Sequence, residues 1–299
     1  MLKRAFMDRA VLKNFDPFAA HAMTDGDFIR MSALIKDACG IKLSLMKKGM
    51  LASRLGKRLT TLGLKSFRQY LDYLKSPDGQ AEELCVMVDL VTTNKTDFFR
   101  EPAHFGYLGG KAVPELMRGR DPAQGPLRVW SAGCSTGEEP YSIAMALSDY
   151  GEINQGFRFS VMATDVSNRA LETAKRAVYE ERAVTPIPAF YKRKFMMRGK
   201  GEWAGCYRVA PEIRQLVVFR RLNLMDDHLD TGGPVDAIFC RNVIIYFDRA
   251  TQGELMRKFF GALAPGGYLF IGYSETLDGV SEEFARVAPT IYRRPGWNR

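Results

Sequence analysis

Residues 127–141 form the segment that most constrains the fold of this chain. The apolar run Leu127–Trp130 predicts a short buried strand, and a loop of small residues follows it. Glu138 then opens a helical pattern together with Glu139 and Pro140, because acidic residues and proline are favourable in a first helical turn. A strand, a glycine loop and a helix in this order are how doubly wound α/β domains bring the backbone close to a nucleotide-like ligand.

The small-residue loop narrows the classes of ligand. It lacks the Gly-Lys-Ser/Thr of a Walker phosphate loop. It also lacks the full Gly-x-Gly-x-x-Gly spacing of dinucleotide-binding folds, which weakens a nicotinamide dehydrogenase as an interpretation. A tight turn between a strand and a helix would explain the same residues without any ligand.

Polar residues follow the next predicted strands. Phe157–Thr164 predicts a strand that ends at Asp165, an acid placed to accept hydrogen bonds from ribose hydroxyls. A cap for the helix that begins near Ser167 is the alternative role of this acid, and the two roles are compatible. The strands Val217–Phe219 and Ala237–Cys240 also lead into polar residues. Polar residues after parallel strands fall on one rim of the sheet, where such folds bind ligands.

Length and composition favour a two-domain globular protein. The 299 residues allow one large and one smaller domain, and the 46% of apolar residues give ample core. The N-terminus lacks the apolar stretch of a signal peptide, and charges interrupt each candidate membrane span. Five cysteines without a Cys-x-x-Cys pair and only three histidines argue against a zinc or disulfide framework. We therefore expect a cytoplasmic protein without a metal and without membrane insertion.

The net charge of +9 is concentrated at one end of the chain. Residues 1–75 hold 15 of the 43 Lys and Arg residues and 6 of the 34 Asp and Glu residues, so 28 of each sign remain elsewhere. An acidic partner would therefore meet the N-terminal part.

Residues 1–91 predict a helical domain. Thr24 and Asp27 have the spacing of a helix start, and further helices are expected over about 45–62, 66–74 and 79–91. Four basic residues share one face of the second of these helices: Lys47, Arg54, Lys57 and Arg58. A solvated surface and a face for the acidic partner explain this basic stripe equally well.

Residues 92–126 predict a linker and a helix that lead into the second domain. The segment Thr92–Pro102 is dense in polar residues yet contains Phe98 and Phe99. It is either a hydrophobic anchor between domains or a polar segment laid over a ligand cleft, to which Arg100 would add a charge.

Residues 127–299 follow the strand–helix rhythm of a mostly parallel sheet. An insertion over about 182–215 departs from that rhythm, and its segment 205–209 predicts part of a short antiparallel hairpin. A last strand is expected at 290–293, antiparallel to its neighbours.

The chain contains five motifs in order: Thr93–Glu101, Ser131–Tyr141, Ala163–Asp165, Phe239–Phe247 and Pro265–Glu275. Together they resemble the CheR family of chemotaxis receptor methyltransferases, over about residues 24–294. The resemblance implies an α/β fold of class I, a Rossmann-like S-adenosylmethionine-dependent methyltransferase with an N-terminal all-helical domain and a small inserted antiparallel β-subdomain. The family transfers a methyl group from S-adenosylmethionine to glutamate side chains of chemoreceptors, which gives methyl esters and S-adenosylhomocysteine.

The resemblance also implies residue roles. The implied cofactor-binding residues are Asn94, Thr96, Arg100, Glu138, Asp165, Asn223, Leu224, Cys240, Arg241 and Asn242. Within this set, Glu138 would meet the methionine end and Asp165 the ribose, while Asn223 and Leu224 would flank the adenine. Arg100 and Tyr246 would lie near the transferred methyl as the catalytic pair. The basic stripe would bind the substrate.

The implied partner is the helical cytoplasmic part of chemoreceptors. Some family members also hold a short peptide at the receptor C-terminus through the inserted subdomain. Gly199-Lys200-Gly201 looks like the glycine-containing loop of these tethering members, whereas Glu202-Trp203 departs from it.

The expected chemistry agrees with the residue types. A glutamate carboxylate is already ionised at pH 7, so its attack on a sulfonium needs no general base and no catalytic His or Cys. A nucleic-acid methyltransferase is the first rival, because the chain is basic, but residues 241–246 lack an Asn/Asp-Pro-Pro-aromatic run. A non-catalytic sensor that binds the cofactor is the second rival.

Overall fold

The computed structural model describes residues 22–118, 120 and 125–296. The chain divides into two compact units. The first unit consists of the chain up to Lys36 together with Leu43–Val91. The second unit consists of Asp37–Lys42 together with the chain from Thr92 onwards. The part of the predicted helical domain that precedes residue 22 lies outside the described residues.

The described part of the first unit is helical. Its helices are α1 (Asp25–Cys39, whose last residues belong to the second unit), α2 (Lys48–Thr61), α3 (Phe67–Lys75) and α4 (Leu84–Val91). The helix start predicted at Thr24 and Asp27 is confirmed. The hydroxyl of Thr24 accepts from the Asp27 N–H at 3.0 Å, and the Asp27 carboxylate accepts from the Thr24 N–H at 3.2 Å.

A buried carboxylate joins α2 to the π-helical turn Gly79–Glu83, which precedes α4. Glu83 is only 2% exposed, and it accepts hydrogen bonds from the Tyr70 hydroxyl at 2.7 Å and from Arg58 Nη2 at 2.6 Å. A buried charge is stable only when it is paired and hydrogen-bonded, so Arg58 is required inside this unit.

The second unit contains two sheets. Its strands are β1 (Leu127–Ala132), β2 (Phe159–Asp165), β3 (Val178–Glu180), β4 (Met196–Arg198), β5 (Cys206–Val209), β6 (Val217–Arg221), β7 (Val235–Cys240), β8 (Leu263–Ile271), β9 (Ala285–Ala288) and β10 (Ile291–Arg293). The larger sheet has the order β6-β2-β1-β7-β8-β10-β9. It is parallel from β6 to β8, and β10 is antiparallel to both of its neighbours. The predicted fold class and its antiparallel last strand are therefore confirmed.

Helices cover both faces of the larger sheet. The described helices of this unit are α5 (Ala103–Tyr107), α6 (Val113–Met117), α7 (Glu138–Ile153), α8 (Asn168–Arg176), α9 (Ala189–Phe195), α10 (Pro211–Arg214) and α11 (Arg249–Ala262). Neighbouring strand residues point to opposite faces, so Val129 packs in the core with Ile143 of α7, while Trp130 packs with Phe259 of α11. Across the described residues, none of the helices is long and apolar enough to span a membrane.

The smaller sheet is antiparallel, with the order β3-β5-β4. It begins before the boundary near residue 182 that the sequence predicts. The reason is local: α8 ends at Arg176, the next residue Ala177 has a φ of 53° in the left-handed region, and the chain enters β3 directly at Val178.

Candidate functional site

A cleft lies at the carboxyl ends of β1, β2, β6 and β7, where this class of sheet binds ligands. It is lined by nine of the residues that the resemblance implies: Asn94, Thr96, Arg100, Asp165, Asn223, Leu224, Arg241, Asn242 and Tyr246. These residues come from four separate stretches of sequence, which the sheet topology brings together.

Asp165 is fixed by backbone donors at the end of β2. Its Oδ2 accepts from the Ser135 N–H at 2.8 Å, and its Oδ1 accepts from the Ser167 N–H at 2.9 Å. The helix cap is Ser167 instead, whose hydroxyl accepts from the Ala170 N–H at 3.1 Å. Asp165 therefore does not cap α8 but ties the glycine loop to the start of that helix. A carboxylate offers about four acceptor positions, so these two donors do not exhaust it.

The segment Thr92–Pro102 combines the two interpretations that its sequence left open. Phe98 and Phe99 are buried in the core of the second unit, where Phe99 stacks on Tyr191 with ring centroids 5.1 Å apart. The polar residues around them line the cleft. The two aromatic rings thus anchor the segment, and its polar part, including Arg100, forms a wall of the cleft.

Glu139, rather than Glu138, is the acid of the α7 start that lines the cleft. Its carboxylate accepts from the Ser131 hydroxyl at 2.7 Å and pairs with Arg241 Nη1 at 3.3 Å. Sequence reasoning missed Glu139, because consecutive residues at a helix start differ by about 100° in direction and the sequence does not give the phase.

Glu138 points to the neighbouring loop. Its carboxylate accepts from the Thr136 hydroxyl at 2.6 Å, and the residue is 7% exposed. Cys240 is likewise absent from the cleft lining, since its side chain is buried in the same apolar cluster as Trp130 and Ile244. For these two residues the structure does not bring the side chain to the cleft.

Glu138 gives a prediction for pH dependence. Burial, aided by the nearby charge of Asp97, raises the pKa of Glu138 from its ordinary value to about 7. The folded state therefore holds a proton that the unfolded state loses near pH 4.5, so this stabilising contribution is complete at low pH and is lost as the pH rises through about 7. Glu138→Gln mimics the protonated form. We expect its Tm to exceed that of the wild type by a larger margin at pH 8 than at pH 5.

Thermal unfolding between pH 5 and 8 measures this difference. The exposed Glu202→Gln is the matched control and should follow the wild type throughout. If the Tm values of Glu138→Gln and of the wild type changed with pH in parallel, the raised pKa of Glu138 would be contradicted.

Arg241 is the centre of a buried ionic cluster at the cleft floor. Its Nη2 donates to Glu101 Oε2 at 3.0 Å and to the Arg100 carbonyl, while Nη1 faces Glu139. Burial opposes ionisation of Glu101, but the Tyr273 N–H and the Arg241 guanidinium hold its pKa below the ordinary value. Arg241 thus fixes the backbone of Arg100, and the Arg100 side chain also lines the cleft.

The segment Asp37–Lys42 forms another wall that sequence reasoning missed. Cys39 and Ile41 line the cleft, and the Asn223 Nδ2 donates to the Ala38 carbonyl at 2.7 Å. Gly40 has a φ of 75°, and a Cβ there would lie 2.5 Å from the Met225 sulfur. Gly40 is a local signal in the sequence, because glycine is common just after a helix end, but it does not indicate which residues pack against this segment.

The predicted basic stripe belongs to the first unit, and half of it has structural partners. Arg58 pairs with Glu83, and Arg54 Nη1 donates to the Val91 carbonyl at 2.7 Å. Lys47 and Lys57 are exposed. Arg58 therefore neutralises a buried acid of its own unit, and the substrate-binding role expected of the four residues stays a prediction.

The smaller sheet carries a second surface pocket, between the sheet and the loop Gly199–Trp203. Trp203 and Met197 are more than half exposed there, and Arg198, Lys200 and Arg208 contribute positive charge. A Cβ at Gly199 would lie 2.1 Å from the Trp203 carbonyl oxygen, so this loop requires glycine at that position.

Comparison with known proteins identifies the family. Residues 94–293 match the family model of the CheR methyltransferase S-adenosylmethionine-binding domain, and residues 26–92 match that of the CheR methyltransferase all-alpha domain. Within the described residues, no group of His, Cys, Asp and Glu side chains is arranged to hold a metal ion.

Curated relatives match nearly the whole chain. The chemotaxis protein methyltransferase of Escherichia coli is 41% identical over 271 residues, which cover 91% of each chain. Those of Salmonella typhimurium and Borreliella burgdorferi are 40% and 36% identical, and the matches again cover 91% of this chain. The chain therefore belongs to the CheR family of S-adenosylmethionine-dependent methyltransferases.

Proposed function

We propose that this protein transfers the methyl group of S-adenosylmethionine to glutamate side chains of chemoreceptors, which gives glutamate methyl esters and S-adenosylhomocysteine. The main observation in support of this proposal is that Asp165, Arg100 and Tyr246 line one cleft. It occurs in a chain whose family members are chemotaxis methyltransferases by name.

The residues of the cleft fit the cofactor. Asp165 is held at the end of β2 with acceptor capacity for ribose hydroxyls. Apolar side chains of Ile41, Leu222 and Phe247 line the cleft together with Asn223, a composition suited to an adenine ring. Acidic residues of the lining, Asp97 and Glu139, would bind the ammonium group of the methionine part.

The reaction needs orientation more than proton transfer. When bound, S-adenosylmethionine supplies an electrophilic methyl group on a sulfonium. The substrate glutamate is ionised at neutral pH, with an ordinary pKa of about 4.3. Cys39 lines the cleft, but burial raises the pKa of its thiol to about 11, so it stays protonated and supplies no base. Holding donor and carboxylate in line can contribute about 7–11 kcal/mol in well-oriented systems.

We assign Arg100 and Tyr246 to the methyl-transfer centre. Both line the cleft, and their backbones are anchored: the Arg100 carbonyl accepts from Arg241, and the Tyr246 carbonyl accepts from the Lys42 N–H at 2.8 Å. Arg100 would bind the substrate carboxylate, and the Tyr246 hydroxyl would orient it.

The domain roles follow from the same proposal. Residues 1–91 would face the receptor, 92–126 would lead into the catalytic domain, and 127–299 would bind the cofactor. The basic N-terminal part suits receptor helices that present several glutamates. The pocket beside Trp203 combines apolar surface with positive charge, which suits a receptor C-terminal peptide with its carboxylate.

Methyl-ester formation gives a direct test. The protein is incubated with methyl-labelled S-adenosylmethionine and a receptor cytoplasmic fragment, and the protein-bound label is then treated with mild base. We expect the label to be released as volatile methanol. Base-stable label on DNA or RNA would favour the nucleic-acid rival, and cofactor binding without any transfer would favour the sensor.

The exposed lysines give a prediction for receptor binding. Lys47→Glu combined with Lys57→Glu should raise the receptor KM about threefold to tenfold without changing cofactor affinity, because exposed ion pairs contribute about 0–1 kcal/mol each. The difference from the wild type should shrink with added salt, since the Debye length falls from about 10 Å at 0.1 M to about 3 Å at 1 M.

The matched control places the same charge change elsewhere. Lys111→Glu with Lys175→Glu reverses two exposed lysines of the second unit. Equal receptor KM values for the two double variants would show that Lys47 and Lys57 belong only to a solvated surface. Loss of duplex DNA or RNA binding with receptor methylation retained would favour the nucleic-acid rival.

A further inference from the structure

The loop after β8 contains a buried carboxylate, Glu275, that has no role in the site described above. It is 6% exposed and lies four residues beyond Ile271, the last residue of β8. Ile271 is paired in register with Cys240, the last residue of β7. Glu275 thus lies where the ends of two neighbouring strands meet.

The two carboxylate oxygens of Glu275 accept three backbone N–H groups. Oε2 accepts from Gly272 at 2.6 Å and from Asn242 at 2.9 Å, and Oε1 accepts from Ile245 at 3.2 Å. One side chain therefore joins the loop after β8 to the loop after β7. These oriented donors favour the ionised carboxylate and oppose the effect of burial, which raises the pKa of Glu275 above its ordinary value.

The loop held by Glu275 carries two residues of the cleft. Asn242 lines the cleft with a φ of 59°, a left-handed conformation that asparagine adopts more readily than other residues except glycine. Ile245 belongs to the 3-10 turn Ile244–Tyr246, and its N–H lies at the start of that turn, where the turn itself offers no acceptor. The Glu275 carboxylate thus holds the left-handed residue and the turn that ends in Tyr246.

Gly272 shows how closely the two loops approach. A Cβ at this position would lie 2.4 Å from Asn242 Nδ2 and 2.9 Å from Glu275 Oε2. Any side chain at 272 would therefore displace Asn242 or the carboxylate. Because residue 272 is glycine, the two loops lie close enough for Glu275 to accept from the Asn242 N–H.

We propose that Glu275 is a positioning residue for methyl transfer, which sets the place of Asn242 and of the turn carrying Tyr246 without contacting cofactor or substrate. The proposal rests on the proposed function, since it takes Tyr246 to act at the transferred methyl. It adds a residue of the β8 loop to a site built from residues after β1, β2, β6 and β7.

Glu275→Gln is the first test. It keeps the size of the side chain and one acceptor oxygen but turns an amide NH2 towards a backbone N–H. We expect kcat at saturating cofactor and receptor to fall about tenfold or more, with the receptor KM unchanged and most of the protein folded at the assay temperature. Glu283→Gln, an exposed glutamate nearby in sequence, should behave as the wild type.

A double-mutant cycle with Tyr246→Phe separates positioning from general stability. If Glu275 acts through Tyr246, the loss caused by Glu275→Gln is much smaller in the Tyr246→Phe background than in the wild type. An equal fold-loss in both backgrounds, or a loss equal to the unfolded fraction, overturns the proposal. Gly272→Ala is the second variant, since its Cβ would press on both Asn242 and the Glu275 carboxylate while both side chains stay chemically unchanged. It should lower kcat in the same way, and wild-type kcat in it overturns the proposal.

Calorimetric binding of S-adenosylhomocysteine gives a readout that needs no methyl acceptor. Displacement of Asn242 and Tyr246 in the cleft should weaken binding about fivefold in Glu275→Gln and not at all in Glu283→Gln. Unchanged affinity in Glu275→Gln overturns the positioning role. If the wild type bound S-adenosylhomocysteine more tightly than Glu275→Gln and yet formed no base-labile esters, that result would count against the proposed function and not against the positioning role of Glu275.

Discussion

Replacing Asp165 with Ala is expected to weaken the binding of S-adenosylhomocysteine by a factor of about 10 to 150. The physical reason is the loss of a charged acceptor for the ribose hydroxyls, since hydrogen bonds to charged groups contribute about 1.5–3 kcal/mol. The same carboxylate accepts from Ser135 and Ser167, so the variant also releases two backbone N–H groups. Calorimetric titration of the folded variant measures the effect.

Asp165→Asn distinguishes the loss of ligand binding from the loss of the two backbone hydrogen bonds. Its amide oxygen still accepts one of the two N–H groups, whereas the negative charge is gone. We expect an affinity between those of the wild type and of Asp165→Ala. Asp227→Ala removes an exposed acid from the same unit and should leave the affinity unchanged. Full affinity in Asp165→Ala, combined with a lower Tm, would mean that the acid only stabilises the glycine loop.

Local sequence signals were sufficient for the scaffold of the site. The strand, small-residue loop and helix over 127–141 correspond to β1, the turn before Glu138, and α7. Strand ends could be located because apolar runs stop where the polar rim begins, and the parallel topology then brings those ends together. This is why nine predicted cleft residues, from four stretches of sequence, line one cleft.

The features that the sequence did not reveal depend on contacts between residues distant in sequence. Arg58 looks like any surface cation on an amphipathic helix, and only the fold shows that buried Glu83, 25 residues later, needs it. Gly40 marks a helix end, but the packing of its segment against Met225 and Phe247 involves residues nearly two hundred positions away. Such pairings leave no local periodicity, so a pattern of charges or apolar residues cannot predict them.

The second large effect is expected for Arg241, whose side chain is 2% exposed. Arg241→Met keeps much of the length and packing but leaves Glu101 and Glu139 buried without their cation. Breaking a buried ion pair by removing one partner costs about 3–5 kcal/mol, because an uncompensated charge remains. We expect a correspondingly lower free energy of unfolding at pH 8, and a weakened cleft, since Arg241 also holds the Arg100 carbonyl.

The pH dependence of this variant has a definite sign. In the wild type, the pKa of Glu101 is held below its ordinary value, so its contribution to stability is lost as the pH falls through that lowered pKa. In the wild type, burial already raises the pKa of Glu139 above its ordinary value. Without Arg241, burial should raise the pKa of Glu101 as well and that of Glu139 further, so the folded variant binds protons that the unfolded chain releases. The variant therefore regains stability as the pH falls from 8 to 5, and its difference from the wild type narrows.

Removing the charges of the two buried glutamates tests whether charge causes the lower stability of Arg241→Met. Arg241→Met combined with Glu101→Gln and Glu139→Gln removes all three charges, so most of the stability lost in the single variant at pH 8 should return, although methyl transfer should not. Arg257→Met, at an exposed position on α11, is the control for loss of one cation and should unfold as the wild type does. Wild-type stability of Arg241→Met at pH 8 would contradict the prediction. A loss of stability that the triple variant does not recover would assign the role of Arg241 to packing and to its bond with the Arg100 carbonyl rather than to charge.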